Sequence, residues 1–279
     1  MNSVQLSQKF SFEDDFTSFA RETIFTYQNG YIYFIDYSDG QVKKMIDVSV
    51  IKNPVRCYYF NRYIYVYNYE EVAIFDNVND TLTVEKMEHS SDKKIIYSFF
   101  SQFRVLLLIY EDLTMDFYKN MRLFKTCHLD KKNFDKADMY FPFSSDFSGP
   151  LGYFMVFKDG AIIMKQFDSP DYGFCGALLG YESGSAIYQP YPGYFFYKRN
   201  GDVVRFKFAN NNILETLVNA KEILNPSHKF MVYLTKDDRV VINDCVYKNI
   251  QAPCKLFGQH NDELIVIDAN NVLWNLSAR

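Results

Sequence analysis

Seven times along the chain a short apolar and aromatic run is followed by a polar turn and then by a second apolar run. The first runs are Tyr31–Tyr37, Tyr63–Asn68, Arg104–Tyr110, Gly152–Phe157, Gly193–Tyr197, Phe230–Thr235 and Glu263–Asp268. The turns between carry Asp39-Gly40, Tyr69-Glu70, Glu111-Asp112, Asp159-Gly160, Asn200-Gly201, Asp237-Asp238 and Ala269-Asn270. Asp-Gly and Asn-Gly pairs flanked by apolar runs are strong hairpin signals, because the turn needs residues that tolerate positive φ. The second runs open at Val42, Val72, Leu113, Ile162, Val203, Val240 and Val272. Their spacing runs from 30 residues (Val42 to Val72) to 49 (Leu113 to Ile162), scattered about the roughly 40–45 residues of a WD-type propeller blade.

Runs such as Tyr31-Ile-Tyr-Phe-Ile35 and Leu106-Leu-Leu-Ile-Tyr110 are apolar at nearly every position. A strand with one wet face alternates, whereas a strand buried on both faces reads like this. Weaker runs upstream, Glu22–Gln28, Val55–Phe60, Ile95–Ser101, Ala137–Phe143, Ala186–Tyr191 and Cys254–Gln259, predict inner strands, and Thr81–Met87, Arg122–Leu129 and Ile213–Val218 predict outer ones. Only three residues follow Val272–Leu276, while Val4–Phe12 alternates as a half-exposed strand does. The N-terminal strand is therefore expected to complete the last blade and remove its open edge. The expected fold is all-β: one seven-bladed β-propeller over residues 1–279 with four-stranded antiparallel blades. The blades fall near residues 18–52, 53–90, 93–130, 137–182, 184–219, 222–252 and 253–279 with 3–12. Asn219–Leu224 is the best helix signal, and it is short, with Pro226 just beyond. A two-sheet sandwich is the rival, but its strands need not return as hairpins at one spacing.

Composition supports a folded domain. Apolar residues make up 48% and aromatic residues 18% of the chain, enough apolar area to exclude disorder and to dispense with a disulfide or metal staple. The net charge is −4, and basic residues gather no further than pairs such as Lys43-Lys44, Lys93-Lys94, Lys131-Lys132 and Lys198-Arg199. Direct contact with nucleic acid, which calls for a basic stripe, is not expected. The cysteines (Cys57, Cys127, Cys175, Cys245, Cys254) are scattered, with no Cys-x-x-Cys pair, the pattern of reduced thiols. No apolar run approaches the ~20 residues of a membrane helix, and the polar start lacks a signal peptide's apolar core. An intracellular protein, cytoplasmic or nuclear, is expected.

Tyr69-Glu-Glu-Val-Ala-Ile-Phe-Asp76 resembles the turn and third strand of the WD-repeat class of propellers, with Phe75-Asp76 where Trp-Asp is usual. Asn270-Asn-Val-Leu-Trp-Asn275 is a looser version, and the Gly-His pair that opens a typical repeat is absent. The resemblance implies a rigid platform whose faces bind proteins or peptides, an implication by analogy of fold.

Motifs for chemistry are sparse. Gly180-Tyr-Glu-Ser-Gly184 places a serine between glycines without the nucleophile-elbow spacing. His228 and His260 fall at equivalent turns, yet two imidazoles are short of zinc's three or four ligands. Asp14-Asp15, Glu70-Glu71, Glu111-Asp112 and Asp237-Asp238 lie on turns. A glycosidase needs two carboxylates about 5–10 Å apart across a pocket, but turns themselves select aspartate. The 49-residue interval implies an insertion through Leu129–Lys136 and Tyr140–Phe147, and long loops on rigid scaffolds carry binding residues. Lys131, Lys132, Phe134, Phe141, Phe143 and Phe147 are the candidate partner-binding residues, since exposed aromatics anchor interfaces. The competing reading makes Tyr140–Phe143 an inner strand whose rings sit in the core. No catalytic residue, metal ligand or cofactor is assigned. The expected function is a non-enzymatic protein-interaction scaffold, a subunit of a larger intracellular complex. The alternatives are a propeller enzyme or lectin-like binder acting on a sugar or ester at a channel mouth, and a nucleic-acid-associated platform.

Overall fold

A computed structural model describes the chain except residues 1, 13–14, 21, 102–103, 144–150, 184–187, 192–193, 201, 210–211, 219, 224–231, 243–244, 251–254, 261–262 and 278–279. After the N-terminal strand β1 (Asn2–Gln5) come β2 (Thr17–Ala20), β3 (Thr23–Gln28), β4 (Tyr31–Asp36) and β5 (Val42–Asp47), which form sheet I. Sheet II holds β6 (Arg56–Phe60), β7 (Tyr63–Tyr67), β8 (Glu71–Asp76) and β9 (Thr81–Lys86). Sheet III holds β10 (Ile95–Phe100), β11 (Val105–Tyr110), β12 (Thr114–Lys119) and β13 (Arg122–His128). The one helix among the described residues, α1 (Lys131–Phe134), leads to sheet IV: β14 (Ala137–Phe143), β15 (Gly152–Phe157), β16 (Ala161–Gln166) and β17 (Tyr172–Ala177). Sheet V holds β18 (Tyr188–Tyr191), β19 (Tyr194–Arg199), β20 (Asp202–Ala209) and β21 (Asn212–Val218). Sheet VI holds β22 (Glu222–Ile223), β23 (Val232–Leu234), β24 (Val240–Ile242) and β25 (Cys245–Tyr247). Sheet VII holds β26 (Lys255–His260), β27 (Glu263–Ile267) and β28 (Val272–Ser277), with β1 as its fourth strand. All seven sheets are antiparallel and four-stranded, six of them meanders of consecutive strands and sheet VII a three-stranded meander completed by β1. The chain divides into two compact units, Met1–Met87 with Glu222–Arg279 (sheets I, II, VI and VII) and Glu88–Lys221 (sheets III, IV and V).

One turn construction recurs between the second and third strands. The N–H of Leu113 donates to the Tyr110 carbonyl, Gly160 to Phe157, Asp238 to Thr235 and Asn271 to Asp268. The donor is left-handed each time, with φ of 64°, 85°, 59° and 62°. This is a type I turn closed by a residue in the left-handed region, the usual build of a three-residue hairpin loop. At Gly160 the choice is forced twice, because an added Cβ would lie 2.7 Å from the Leu178 carbonyl. Leu113, expected to open the second run of its hairpin, is a turn residue instead, and β12 starts at Thr114.

One further expectation is corrected. In sheet I, Tyr31–Asp36 is the third strand rather than the second, because the Asn29-Gly30 turn, φ 53° and 87°, closes the hairpin before it. The short interval from Val42 to Val72 thus compared a fourth strand with a third. Measured between third strands, Tyr31 to Glu71, the spacing falls in line with the rest. Asn219–Leu224, the best helix signal but too short for a helix, holds strand β22 at Glu222–Ile223, and residues 219 and 224 lie outside the described residues.

Cores lie between sheets, not within them. In the first unit, Ile32 and Phe34 of β4 pack with Cys57, Ile64, Val66 and Phe75 of sheet II, while Ile35 packs with Ile265, Ile267 and Leu273 of sheet VII. In the second unit, Tyr153 and Met155 of β15 join Leu107, Ile109 and Phe117 of sheet III, whereas Phe154 and Val156 join Tyr197, Val204 and Phe206 of sheet V. Successive strand residues point to opposite faces, so a strand with neighbours on both sides must be apolar throughout. That accounts for both the unbroken runs and the aromatic content.

The N-terminal strand does complete the last sheet, over a shorter span than Val4–Phe12. β1 pairs with β28 in the register Val4↔Leu273 and Gln5↔Val272. Beyond it the chain leaves the sheet, and Leu6, Phe10 and Phe12 are buried against Ile24, Ile35, Ile265 and Leu273. Deleting residues 1–12 therefore removes a strand and three buried side chains, each worth about 2–5 kcal/mol. Thermal unfolding of that variant should start more than about 10 °C below the intact chain, whereas deleting residues 1–5 alone should cost less than half as much.

Candidate partner-binding site

The 49-residue interval is occupied by α1 and β14. Asp130 caps α1, its carboxylate accepting from the Lys132 N–H at 2.7 Å. Lys131 and Lys132 are exposed, and Phe134 is half-buried, its ring stacked on Tyr140 at 6.1 Å and 18°. Phe141 lies one residue along β14 from Tyr140, and it points the other way. It is 1% exposed, packed on Phe154 at 5.1 Å and Phe99 at 6.1 Å. A partner docking on the surface cannot reach it, so Phe141 is a core residue and not an anchor. Phe143 ends β14, with its side chain outside the described residues, and Phe147 lies wholly outside them. The structure thus brings Lys131, Lys132 and Phe134 together on one short helix.

The turn carboxylates are consumed by the turns. The side chains of Asp39, Asp112 and Asp159 accept from the N–H two residues on, in Gln41, Thr114 and Ala161, at 2.9–3.0 Å. The Lys43 ammonium holds the Asp39 carboxyl below the usual carboxylate range, the Ser91 hydroxyl does so for Asp112, and the Thr235 hydroxyl for Asp237. Asp15 pairs with Arg56. A glycosidase acid needs a carboxyl raised toward neutrality, the opposite of these shifts. His228 lies outside the described residues, as does the side chain of His260. His128 meets Thr114 at 3.3 Å. Among the described residues no cluster of His, Cys, Asp and Glu could hold a metal ion, and no helix is long and apolar enough to cross a membrane. The four described cysteines are free, and burial pushes the Cys57 thiol up to about 12 and Cys127 to about 11. Both thiols are therefore inert at neutral pH.

A polar cluster that sequence reasoning missed sits in sheet III. Asp116, in the middle of β12, has no exposed surface. It accepts from the Ser90 N–H at 2.9 Å, from the Ser90 hydroxyl, from Thr126 Oγ1 at 2.7 Å, and from Tyr110 and Tyr118 at 3.0 and 3.2 Å. His89 Nδ1 lies 2.7 Å from both tyrosine hydroxyls, and the single Tyr118 proton is shared between Asp116 and the Glu88 carbonyl, the latter at 2.8 Å. Five donors on one carboxylate satisfy its buried charge and tie the segment Glu88–Ser90 to the sheet. The signal was present: an aspartate inside the apolar run Met115–Tyr118 must find donors.

No family model matches the chain, and no curated protein matches it. Solved structures do. The N-terminal domain of Nup159 is similar over 94% of this chain and 89% of its own, with 6% identity and a TM-score of 0.52. A chain in a complex of S. cerevisiae Dbp5 bound to Nup159, Gle1, IP6 and ADP is similar over 92% of this chain and 87% of its own, with 7% identity and a TM-score of 0.50. The computationally designed protein Ika8 is similar over 98% and 86%, with 13% identity and a TM-score of 0.55. At such identities the likeness shows fold alone. With the seven four-stranded antiparallel sheets and the N-terminal strand in the last of them, the fold is a seven-bladed β-propeller.

Two outcomes follow from these placements. Phe141→Ala should cost about 3–5 kcal/mol of stability, and Phe134→Ala, at a half-buried ring, about half as much or less, read from urea midpoints. For Asp39, Asp112 and Asp237 the folded pKa lies below the unfolded value of 3.8. Their contribution is complete above that value and is lost as pH falls through the folded one. The urea midpoint should stay level from pH 8 to 6 and fall from pH 5 to 3, less steeply in the Asp112→Asn variant.

Proposed function

We propose that this chain is a protein-interaction scaffold, a subunit of a larger intracellular assembly. The observation that carries the reading is a framework of sheets locked through shared cores, with charged and aromatic side chains displayed on its short helix and terminal strands. Lys131, Lys132 and Phe134 on α1 stand exposed or half-exposed on a segment fixed by a cap and a ring stack. The likeness to a chain solved in a complex with other proteins supports the same reading at the level of fold. The four described thiols are free, which suits a reducing compartment.

The test is affinity purification at native expression, followed by mass spectrometry and sizing. Stoichiometric protein partners that survive moderate salt are expected. Elution alone as a 32.9 kDa monomer would overturn the scaffold reading.

A further inference from the structure

Fourth strands carry a sheet's open edge, and charged side chains normally guard such an edge. β5 has Lys43, Lys44 and Asp47, β9 has Glu85 and Lys86, and β13 has Arg122 and Lys125. β17 reads Tyr-Gly-Phe-Cys-Gly-Ala, with no charge in six residues. It ends sheet IV, and among the described residues no further strand pairs along its outer side. Phe174 is 67% exposed and Tyr172 41%. The β16–β17 register sets Lys165 opposite Tyr172 and Ile163 opposite Phe174. Ile163 packs toward sheet III, and cross-strand partners share a face. Phe174 and Tyr172 therefore lie on the side of β17 that looks toward β13.

Two ammonium groups lie on that side, each over an aromatic ring. Lys165 Nζ lies 4.8 Å over the Tyr172 ring, steadied by the carbonyls of Ser169 and Pro170 at 2.6 and 2.7 Å. Lys125 of β13 reaches 5.8 Å over Phe167, whose ring packs on Phe117 at 4.9 Å. The Cys127 thiol, on the same face of β13, feels both charges. Neither lysine pairs with a carboxylate among the described residues. Among the other described cations, Lys43, Lys44, Lys93, Arg56, Arg62 and Arg239 have such a partner, and Lys52, Lys131 and Lys132 pair with none among the described residues. Exposed Leu151 extends the apolar part, its carbonyl taking the Phe167 N–H at 2.9 Å.

We propose that Lys125, Lys165, Phe167, Tyr172 and Phe174 form a docking surface for an extended, acidic and apolar segment of a partner protein. The proposal rests on the scaffold reading and gives that scaffold a place and a partner chemistry. Charge complementarity selects the occupant: carboxylates answer two unpaired lysines, and apolar side chains cover Phe174 and Tyr172. The open, uncharged edge of β17 lets such a segment add as a further strand, its backbone supplying affinity and its side chains specificity. Lysines among aromatic rings also suit single-stranded nucleic acid. Against it, the surface holds no arginine and the chain carries a net charge of −4.

The probe is a fluorescein-labelled peptide of Glu-Leu-Asp-Phe repeats, followed by anisotropy against the intact chain. Saturable binding is expected, weakened at least ~10-fold by Lys125→Glu and by Phe174→Ser. Both positions are exposed, and circular dichroism should confirm an unchanged fold. A peptide with lysine at the acidic positions should recover binding to the Lys125→Glu variant. Absent binding, equal binding of the Gln-Leu-Asn-Phe peptide, indifference to both substitutions, or tighter binding of oligo-dT would each overturn the proposal. If the Phe174→Ser chain purifies with all its native partners at unchanged stoichiometry, this surface falls and the scaffold reading stands. If the unaltered chain purifies alone, that reading falls by itself.

Discussion

Everything in this molecule depends on middle strands that are buried on both faces. β4 gives Ile32 and Phe34 to one neighbour and Ile35 to the other, and β15 divides Tyr153 and Met155 from Phe154 and Val156 in the same way. No sheet here encloses a core of its own. Each has two apolar faces that only another sheet can cover, at roughly 25 cal/mol per Å² of apolar surface removed from water. A four-stranded sheet excised from this chain would expose both faces at once. Within each unit the fold therefore extends from sheet to sheet, and the return of the N-terminal strand to β28 belongs to the same logic.

That constraint decides where polar groups sit. A charge in a two-faced strand has no water to meet, so Asp116 collects five donors, three from its own sheet and two from Ser90. Buried, fully bonded and ringed by tyrosine hydroxyls, it works as a clamp on the chain entering sheet III. Removing its carboxylate would strand the donors, and this is the costly direction for such networks. The turn aspartates obey the milder rule of the surface. They bond their own backbone and set the hairpin geometry.

Much of this was legible in the sequence, because strand period and turn chemistry are local. Unbroken apolar runs announced strands with two covered faces, and Asp-Gly and Asn-Gly pairs announced hairpins. Two misreadings have physical causes. Leu113 was assigned to a strand because it is apolar, yet a turn that needs a left-handed residue can place leucine there when its side chain also reaches the core. The phase of sheet I slipped because Asn29-Gly30 and Asp39-Gly40 are both good turns and nothing local ranks them. What ranks them is pairing with Thr17–Ala20, a four-residue strand too short to stand out in the pattern. The candidate site was less legible. Phe134, Phe141, Phe143 and Phe147 look alike in sequence, but a half-buried stack and a core ring differ by one step along β14. Parity against a neighbouring sheet decides between them, and parity is a tertiary fact.

The same parity explains why recognition should concentrate on fourth strands. Inner positions are committed to neighbours on both sides, so a substitution there alters stability before it alters binding. A fourth strand has neighbours at one end of its side chains and solvent at the other, so its residues change with little cost to the cores. β9 illustrates the freedom, with every one of its six residues exposed. β17 departs in charge rather than in exposure: β5, β9 and β13 also expose Met45, Leu82, Val84 and Phe124 but set charges beside them, whereas Phe174 and Tyr172 stand in solvent on a strand with none. Single exposed aromatics are ordinary. An uncharged terminal strand with two of them, beside two lysines without acidic partners among the described residues, is an arrangement that folding alone does not require.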